Sequence, residues 1–342
     1  MMSRTTIAIA LAALLVAACS KSPSTKSGAV APASFTVGEL ALFAPLPPLL
    51  GTREQPMAEA RTALGRTLFY ETVLSEGHDI SCNSCHALDG WGVDGRRVSL
   101  GHKGQAGTRN APSVYNAAGQ LAQFWDGRAK TVEAQATGPI LNPIEMGMPD
   151  SSAVLEHLRA SRSYVASFRA AFPGEKQPVT MDNLGRAIGA FERRLVTPSR
   201  WDKFLNGDST ALTAEERAGL RTFLDTGCQA CHSGTYLGGD RYMKAGVAKE
   251  WFSKADSGRY KVTHDPKDVL VFKVPTLRNI AKTGPYFNDG SVASLNEAVR
   301  LMAHHQLGKS LSPAQVQSIV TWLGSLTGEL PRQYIAPPQK PI

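Results

Sequence analysis

The residues best suited to chemistry form two short runs, Cys82-Asn83-Ser84-Cys85-His86 and Cys228-Gln229-Ala230-Cys231-His232. In a C-x-x-C-H run the two thiols can add across the vinyl groups of a haem, and the histidine that follows offers an axial nitrogen to its iron. A redox dithiol or half of a zinc site needs only the cysteines and leaves both histidines unexplained. With 8 histidines in 342 residues, about one cysteine pair in forty would be followed by His by chance, so two such runs point to two c-type haems. Paired zinc motifs usually sit about 15 to 20 residues apart, whereas these fall in different halves of the chain.

A chain of 342 residues accommodates about two globular domains, one haem to each. The formal charge of +8 comes from basic residues interspersed with acids, without the dense Lys/Arg stripe that nucleic-acid binding needs. At the N-terminus Arg4 precedes an apolar stretch from Ile7 to Ala18, too short to span a membrane and of the length of a signal-peptide core, so residues 1–18 read as a signal peptide. Val16-Ala17-Ala18-Cys19 looks like a bacterial lipobox, which accounts for the one cysteine of 5 that the haem motifs leave over. Residues 19–34 then read as a lipidated flexible tether; ordinary cleavage after Ala18 would instead leave a soluble protein. Both readings export the chain to the bacterial periplasm, with membrane contact only through lipid on Cys19.

The elements that must position the motifs are mainly helical. Apolar spacing and capping residues predict helices over Met57–Tyr70, Thr131–Ala136, Ser152–Ala160, Ser163–Phe172 and Met181–Val196, with a domain boundary at Thr197-Pro198. Beyond it, Thr213 and Glu216 open a helix that ends near Asp225 with Gly227 as breaker, Ser294 and Glu297 cap another, and Ser312, Pro313 and Gln315 start a closing helix. The resulting partition is 35–197, 198–330 and a tail 331–342. Helix, haem motif, long loop and closing helix resemble a class I cytochrome c. Among side chains between the motifs, His102 stands on a glycine-flanked loop that could bring it to an iron and withdraw it. A lone loop histidine is more often solvated, as is a lone loop carboxylate such as Glu145. Met302 on an apolar helical face reads as core or as thioether ligand, with His304 and His305 as rivals.

Taken together the segments resemble the bacterial di-haem cytochrome c peroxidase family from about Ala63 to Leu330. The resemblance is carried by both haem motifs and by Gly-Val-Asp-Gly (92–95), Leu-Ala-Gln-Phe-Trp-Asp-Gly-Arg (121–128), Asn-Pro-Ile-Glu-Met (142–146), Pro-Thr-Leu-Arg-Asn (275–279) and Gly-Pro-Tyr-Phe (284–287). It implies two cytochrome c-like domains, each with one covalent haem near the domain interface: a peroxidatic haem on Cys82, Cys85 and His86, and an electron-entry haem on Cys228, Cys231 and His232. It makes His102 a removable distal ligand, Gln135 and Glu145 the polar peroxide pocket, Trp125 the residue between the haems and Met302 the axial ligand of the second. Asn110, Thr283 and Pro285 fall where the family binds a calcium ion between domains, the last two through backbone carbonyls. The implied partners are hydrogen peroxide and a small c-type cytochrome or other one-electron donor, and relatives are often homodimers.

The chemistry agrees with these roles. Heterolysis of peroxide moves a proton from one oxygen to the other, which a carboxylate such as Glu145 can do as base and then acid. Gln135 could orient the peroxide, and Trp125 could conduct electrons or simply pack. The chain departs from the family at Asn288, where a histidine is common. Two alternatives remain open: a related enzyme that oxidises a protein substrate during cofactor maturation, which carries tyrosine where Met302 stands, and a non-enzymatic di-haem electron carrier with both irons permanently six-coordinate.

Overall fold

The computed structural model describes Met1, residues 33–50 and residues 59–338. The signal peptide, the lipobox with Cys19 and most of the tether lie outside the described residues. Residues 33–338 fall within one compact unit. In chain order its helices are α1 (Val37–Leu40), α2 (Glu59–Tyr70), α3 (Cys82–Cys85), α4 (Val132–Ala136), α5 (Gly138–Leu141), α6 (Ser151–Ala160), α7 (Arg162–Ala171), α8 (Met181–Glu192), α9 (Arg200–Leu205), α10 (Ala214–Thr226), α11 (Tyr260–Thr263), α12 (Leu295–Leu307) and α13 (Pro313–Gly324). Two three-residue strands, β1 (Tyr242–Lys244) and β2 (Val271–Lys273), pair antiparallel with Met243 opposite Phe272. No helix among the described residues is long and apolar enough to cross a membrane.

Local signals account for most of these limits. Thr213 Oγ1 accepts from the Glu216 amide at 3.2 Å and the Glu216 carboxylate takes the Thr213 amide at 2.9 Å, so both arms of the capping box form. Ser312 and Gln315 do the same for α13, with Pro313 at the first helical position. Gly227 ends α10 at φ 94°, which a side chain would resist. Ser294 caps α12 with one arm only, because the Glu297 carboxylate turns forward to Arg300 at 2.6 and 2.7 Å. Helix α8 stops at Glu192 and not at Val196, since Arg194 and Leu195 close turns onto Phe191 and Glu192 and the chain then extends.

The apolar core forms two main clusters, and each contains a crossing of two long helices. In the first, α2 packs on α8 through Leu64, Leu68, Phe69, Leu184, Ile188 and Phe191. In the second, α10 packs on α13 through Leu220, Phe223, Ile319, Trp322 and Leu323. Both crossings turn on a glycine. A Cβ on Gly65 would lie 1.8 Å from the Ala187 carbonyl oxygen, and one on Gly219 would lie 2.1 Å from that of Ser318, so any other residue would force the helices apart. The chain ends cross over: Phe35 and Phe43 join the second cluster, while Leu330, Tyr334 and Ile335 join the first.

A second duplication lies in the loops. Pro112, Asn116, Phe124, Asp126 and Gly127 recur at the same internal spacing as Pro275, Asn279, Phe287, Asp289 and Gly290. The backbone repeats with them, with positive φ at Asn116 (59°) and Asn279 (61°), Phe124 (67°) and Phe287 (70°), and Gly127 (68°) and Gly290 (59°). The bridges Gln123 to Ala129 and Tyr286 to Val292 occupy matching places. Where the repeats meet, Asn116 and Asn279, both fully buried, donate their side-chain amides to the same Thr197 hydroxyl at 2.8 and 2.9 Å.

Candidate active site: two cavities and one wall

Each C-x-x-C-H run folds as one tight turn. The His86 amide closes onto the Cys82 carbonyl at 2.9 Å and the His232 amide onto that of Cys228 at 3.0 Å, which holds each histidine beside its two thiols. Nδ1 of His86 donates to the Gly92 carbonyl at 3.3 Å and Nδ1 of His232 to the Leu237 carbonyl at 3.0 Å. These bonds fix the ring orientation and leave Nε2 as the free donor atom of each ring. Burial lowers the pKa of both imidazoles, keeping them in the neutral form a metal takes. The four cysteines form no disulfide, and burial pushes the Cys82 and Cys228 thiols up to about 12, which argues against a reactive redox pair.

Each motif opens on its own cavity. The first, of about 450 Å³, is lined by Cys82, Cys85, His86, Gln135, Glu145 and Glu192 among others. The second, of about 240 Å³, is lined by Cys228, Cys231, His232 and Met302, with Phe223, Val299 and Leu323 around them. Two thiols, an oriented neutral imidazole and an adjoining cavity are the donor set that covalent haem attachment requires, so both sites fit a haem c.

The distal side chains differ sharply. Glu145 accepts from the Asn142 side-chain amide at 2.9 Å, and burial, opposed by the Arg128 charge and that bond, raises its pKa. Gln135 reaches the same cavity from α4. In the second cavity Met302 comes from α12, and His304 and His305 do not line it. The two rings meet edge to face, with centroids 4.9 Å apart, and His305 packs against Trp251 and Phe252.

Trp125 lines both cavities, together with Asn110, Ala111, Pro112 and Ser113, so one short wall separates the two sites. The indole Nε1 is fixed by donation to the Asn110 carbonyl at 2.9 Å. Asn110, Thr283 and Pro285 also stand along the second cavity, and among the described residues the carbonyls of Thr283 and Pro285 accept no hydrogen bond. Amide and carbonyl oxygens of this kind suit a hard cation such as calcium. Asn288 has a role in the same wall. Its carbonyl accepts from the Asn110 amide at 2.8 Å, and its side chain donates to Asp256 at 2.9 Å. Asp256 in turn takes a two-pronged grip from Arg109 at 2.7 and 2.8 Å, and Arg109 also bonds Asp126 at 2.6 Å.

His102 is the site residue that does not join the first cavity. It is 5 % exposed, its backbone amide donates to the Glu145 carbonyl at 2.7 Å, and its Nε2 lies 2.9 Å from a Glu76 carboxylate oxygen at an angle that makes no hydrogen bond. The loop lies flat on the 144–145 backbone because residue 101 is glycine, where a Cβ would come within 2.2 Å of the Ile144 carbonyl oxygen. Sequence reasoning missed Glu192, Arg109, Asp256 and the repeated loop. The spacing of Pro, Asn, Phe, Asp and Gly was the available signal for the last.

A mainly helical chain with two haem-type motifs, a polar cavity, an apolar cavity and a tryptophan between them defines a di-haem redox protein. Comparison with known proteins narrows this. The model of the family described as di-haem cytochrome c peroxidase matches residues 59–210. The chain is 45 % identical over 298 residues to the cytochrome c551 peroxidase of Pseudomonas aeruginosa, covering 85 % of this chain and 86 % of that one. It is 43 % identical over 301 residues to the cytochrome c551 peroxidase of Nitrosomonas europaea, covering 86 % and 88 %. Among solved structures it is similar to a MauG-like protein associated with microbial copper homeostasis, with a TM-score of 0.75, 30 % identity and coverage of 86 % and 97 %. The chain belongs to the di-haem cytochrome c peroxidase family; it is a peroxidase with two haem c groups on two cytochrome c-like domains.

Proposed function

We propose that the chain reduces hydrogen peroxide to water at the cavity of His86, drawing electrons one at a time from a small c-type cytochrome through the haem of His232. The observation that carries this reading is the single wall at Trp125 between a cavity with a carboxylate and an amide and a cavity with a thioether. When bound, the haems supply peroxide binding and one-electron transfer. With peroxide in this cavity Glu145 would take a proton from one peroxide oxygen and return it to the other, while Gln135 would orient the substrate. Met302 would hold the second haem, where a thioether favours the reduced iron and would raise its potential towards that of a c-type donor. A methionine there, in place of a tyrosine, favours a peroxidase over a protein-oxidising relative.

His102 would be a removable holder of the first haem. Its position off the cavity, facing Glu76, is the withdrawn position that a removable ligand needs, and it favours an enzyme over a carrier with two six-coordinate irons. A calcium ion held by Asn110, Thr283 and Pro285 braces the wall. The exported form is a periplasmic lipoprotein anchored through Cys19, and it assembles as a homodimer.

Stopped-flow peroxide turnover with a reduced small c-type cytochrome, before and after one-electron reduction of the protein, tests the reading. The expected result is turnover after reduction, and turnover without it in His102→Gly. No turnover in either state favours the carrier, and turnover only with a protein tryptophan as substrate favours the maturation enzyme.

A further inference from the structure

The first cavity holds a carboxyl that the chemistry above does not use. Glu192 closes α8 and lines the cavity with Cys82, Cys85, His86, Gln135 and Glu145, yet it is only 4 % exposed. The two arginines that follow it are committed elsewhere. Arg193 grips Glu133 at 2.8 and 3.1 Å, and Arg194 bonds Glu59 at 2.9 Å. Among the described residues no hydrogen bond reaches the Glu192 carboxyl, and its oxygens are not among the fully enclosed unpartnered atoms, as fits a group that lines a cavity. Burial disfavours the charged form of a carboxyl, which favours the protonated acid here. Burial and then the nearby charge of Glu133, opposed by Arg193, push it up to about 8. Glu133 on α4, Arg193 just past the end of α8, Cys82 on α3 and Tyr334 near the C-terminus are charged or titratable groups acting with it.

The reaction needs such a group. Reducing one hydrogen peroxide to two waters takes up two electrons and two protons. The cycle of Glu145 is proton-neutral, since it moves a proton from one peroxide oxygen to the other and ends as it began. The electrons come from the one-electron donor, and the two protons must enter the cavity separately. Resting on the peroxidase reading, we propose that Glu192 is the proton-delivering acid of the first cavity, releasing its O–H proton through cavity water to the oxygen being reduced and recovering it from solvent. Glu133, whose side chain is 18 % exposed, lies within electrostatic reach of Glu192 and is itself held by Arg193.

The test uses the holoprotein and its Glu192→Gln and Glu192→Asp variants, with hydrogen peroxide and a reduced c-type cytochrome. Glu192→Gln is expected to leave the second-order rate of reaction with peroxide within about twofold while lowering kcat about 100-fold, with Glu192→Asp recovering part of it. Redox-difference infrared spectra of the first haem should show a carboxylic-acid carbonyl band that shifts in D2O, moves in Glu192→Asp and is absent in Glu192→Gln. Wild-type kcat across the pH range in Glu192→Gln overturns the proposal. If Glu192→Gln fails to take up haem, the wild-type and Asp spectra decide, and the absence of a redox-linked acid band in both overturns it. A wild-type protein that turns over no peroxide refutes the peroxidase reading, and the infrared band then judges Glu192 by itself.

Discussion

The two haem sites share a chassis and differ on one face. Both have a thiol pair and histidine in one turn, an Nδ1 bond to a backbone carbonyl and a loop built on the same Pro, Asn, Phe, Asp and Gly. Behind each, two long helices cross at a glycine. The rest of each cavity lining separates them: carboxyls, an amide and a larger cavity in one, a thioether among apolar residues in the other. The loop repeat makes Asn288 the counterpart of Trp125, so the connecting wall includes a duplicated turn whose two copies differ at this position among others. Attachment therefore resides in the shared parts and reactivity in the parts that diverged.

The strongest way to break this comparison is to remove the acid–base group from the reactive face. Glu145→Gln should lower peroxide turnover by about 100- to 10,000-fold while leaving both haem spectra intact. The pH profile gives the sign. Glu145 must be ionised to accept a proton, and its pKa is raised by burial. The wild-type kcat/KM for peroxide should fall as pH drops through that raised value, above the ordinary glutamate range, and Glu145→Gln should lack this limb. A limb that persists in the variant would move the base elsewhere.

Next in size is a contrast between matched loop positions. Arg278 is 2 % exposed, paired with Asp202 at 2.7 Å and bonded to the Thr235 carbonyl at 2.7 and 2.9 Å. Its counterpart Tyr115, 1 % exposed, makes one side-chain bond, from its hydroxyl to the Leu88 carbonyl at 2.7 Å. Arg278→Met strands the Asp202 charge and should cost about 3 to 5 kcal/mol of stability. Tyr115→Phe should cost about 1 kcal/mol. Equal losses in denaturant melts would show that the two loops carry the same load despite their chemistry.

Much of this organisation was legible in the sequence, for a physical reason. Covalent haem attachment needs a fixed local spacing, so Cys82 to His86 and Cys228 to His232 announce themselves, and caps such as Thr213 with Glu216 are equally local. Glu192 was not legible, because a glutamate followed by Arg193 and Arg194 reads as a solvated charge cluster. Only the fold turns both arginines away from it. The position of His102 also escaped the sequence, since a glycine-flanked histidine can reach an iron or lie against Glu76, and tertiary packing decides. Asn288 was visible as a departure, but its bonds to Asn110 and Asp256 join segments far apart in the chain.

The smallest expected effect concerns Thr197, where the two repeats meet. Asn116 donates to the Thr197 hydroxyl and accepts from the Thr197 amide at 3.1 Å; Asn279 donates to the same hydroxyl and accepts from the Gly328 amide at 2.9 Å. Both asparagines sit at positive φ, where alanine is strained, and each leaves a buried amide unpaired when removed. Asn116→Ala and Asn279→Ala should each cost about 1 to 3 kcal/mol. The sharper quantity is their coupling. One hydroxyl accepts from both, so loss of either amide changes the field and the hydroxyl orientation seen by the other, and a double-mutant cycle should give a coupling of at least about 0.5 kcal/mol. Strict additivity would mean that the two halves are braced independently and that Thr197 is only where they touch.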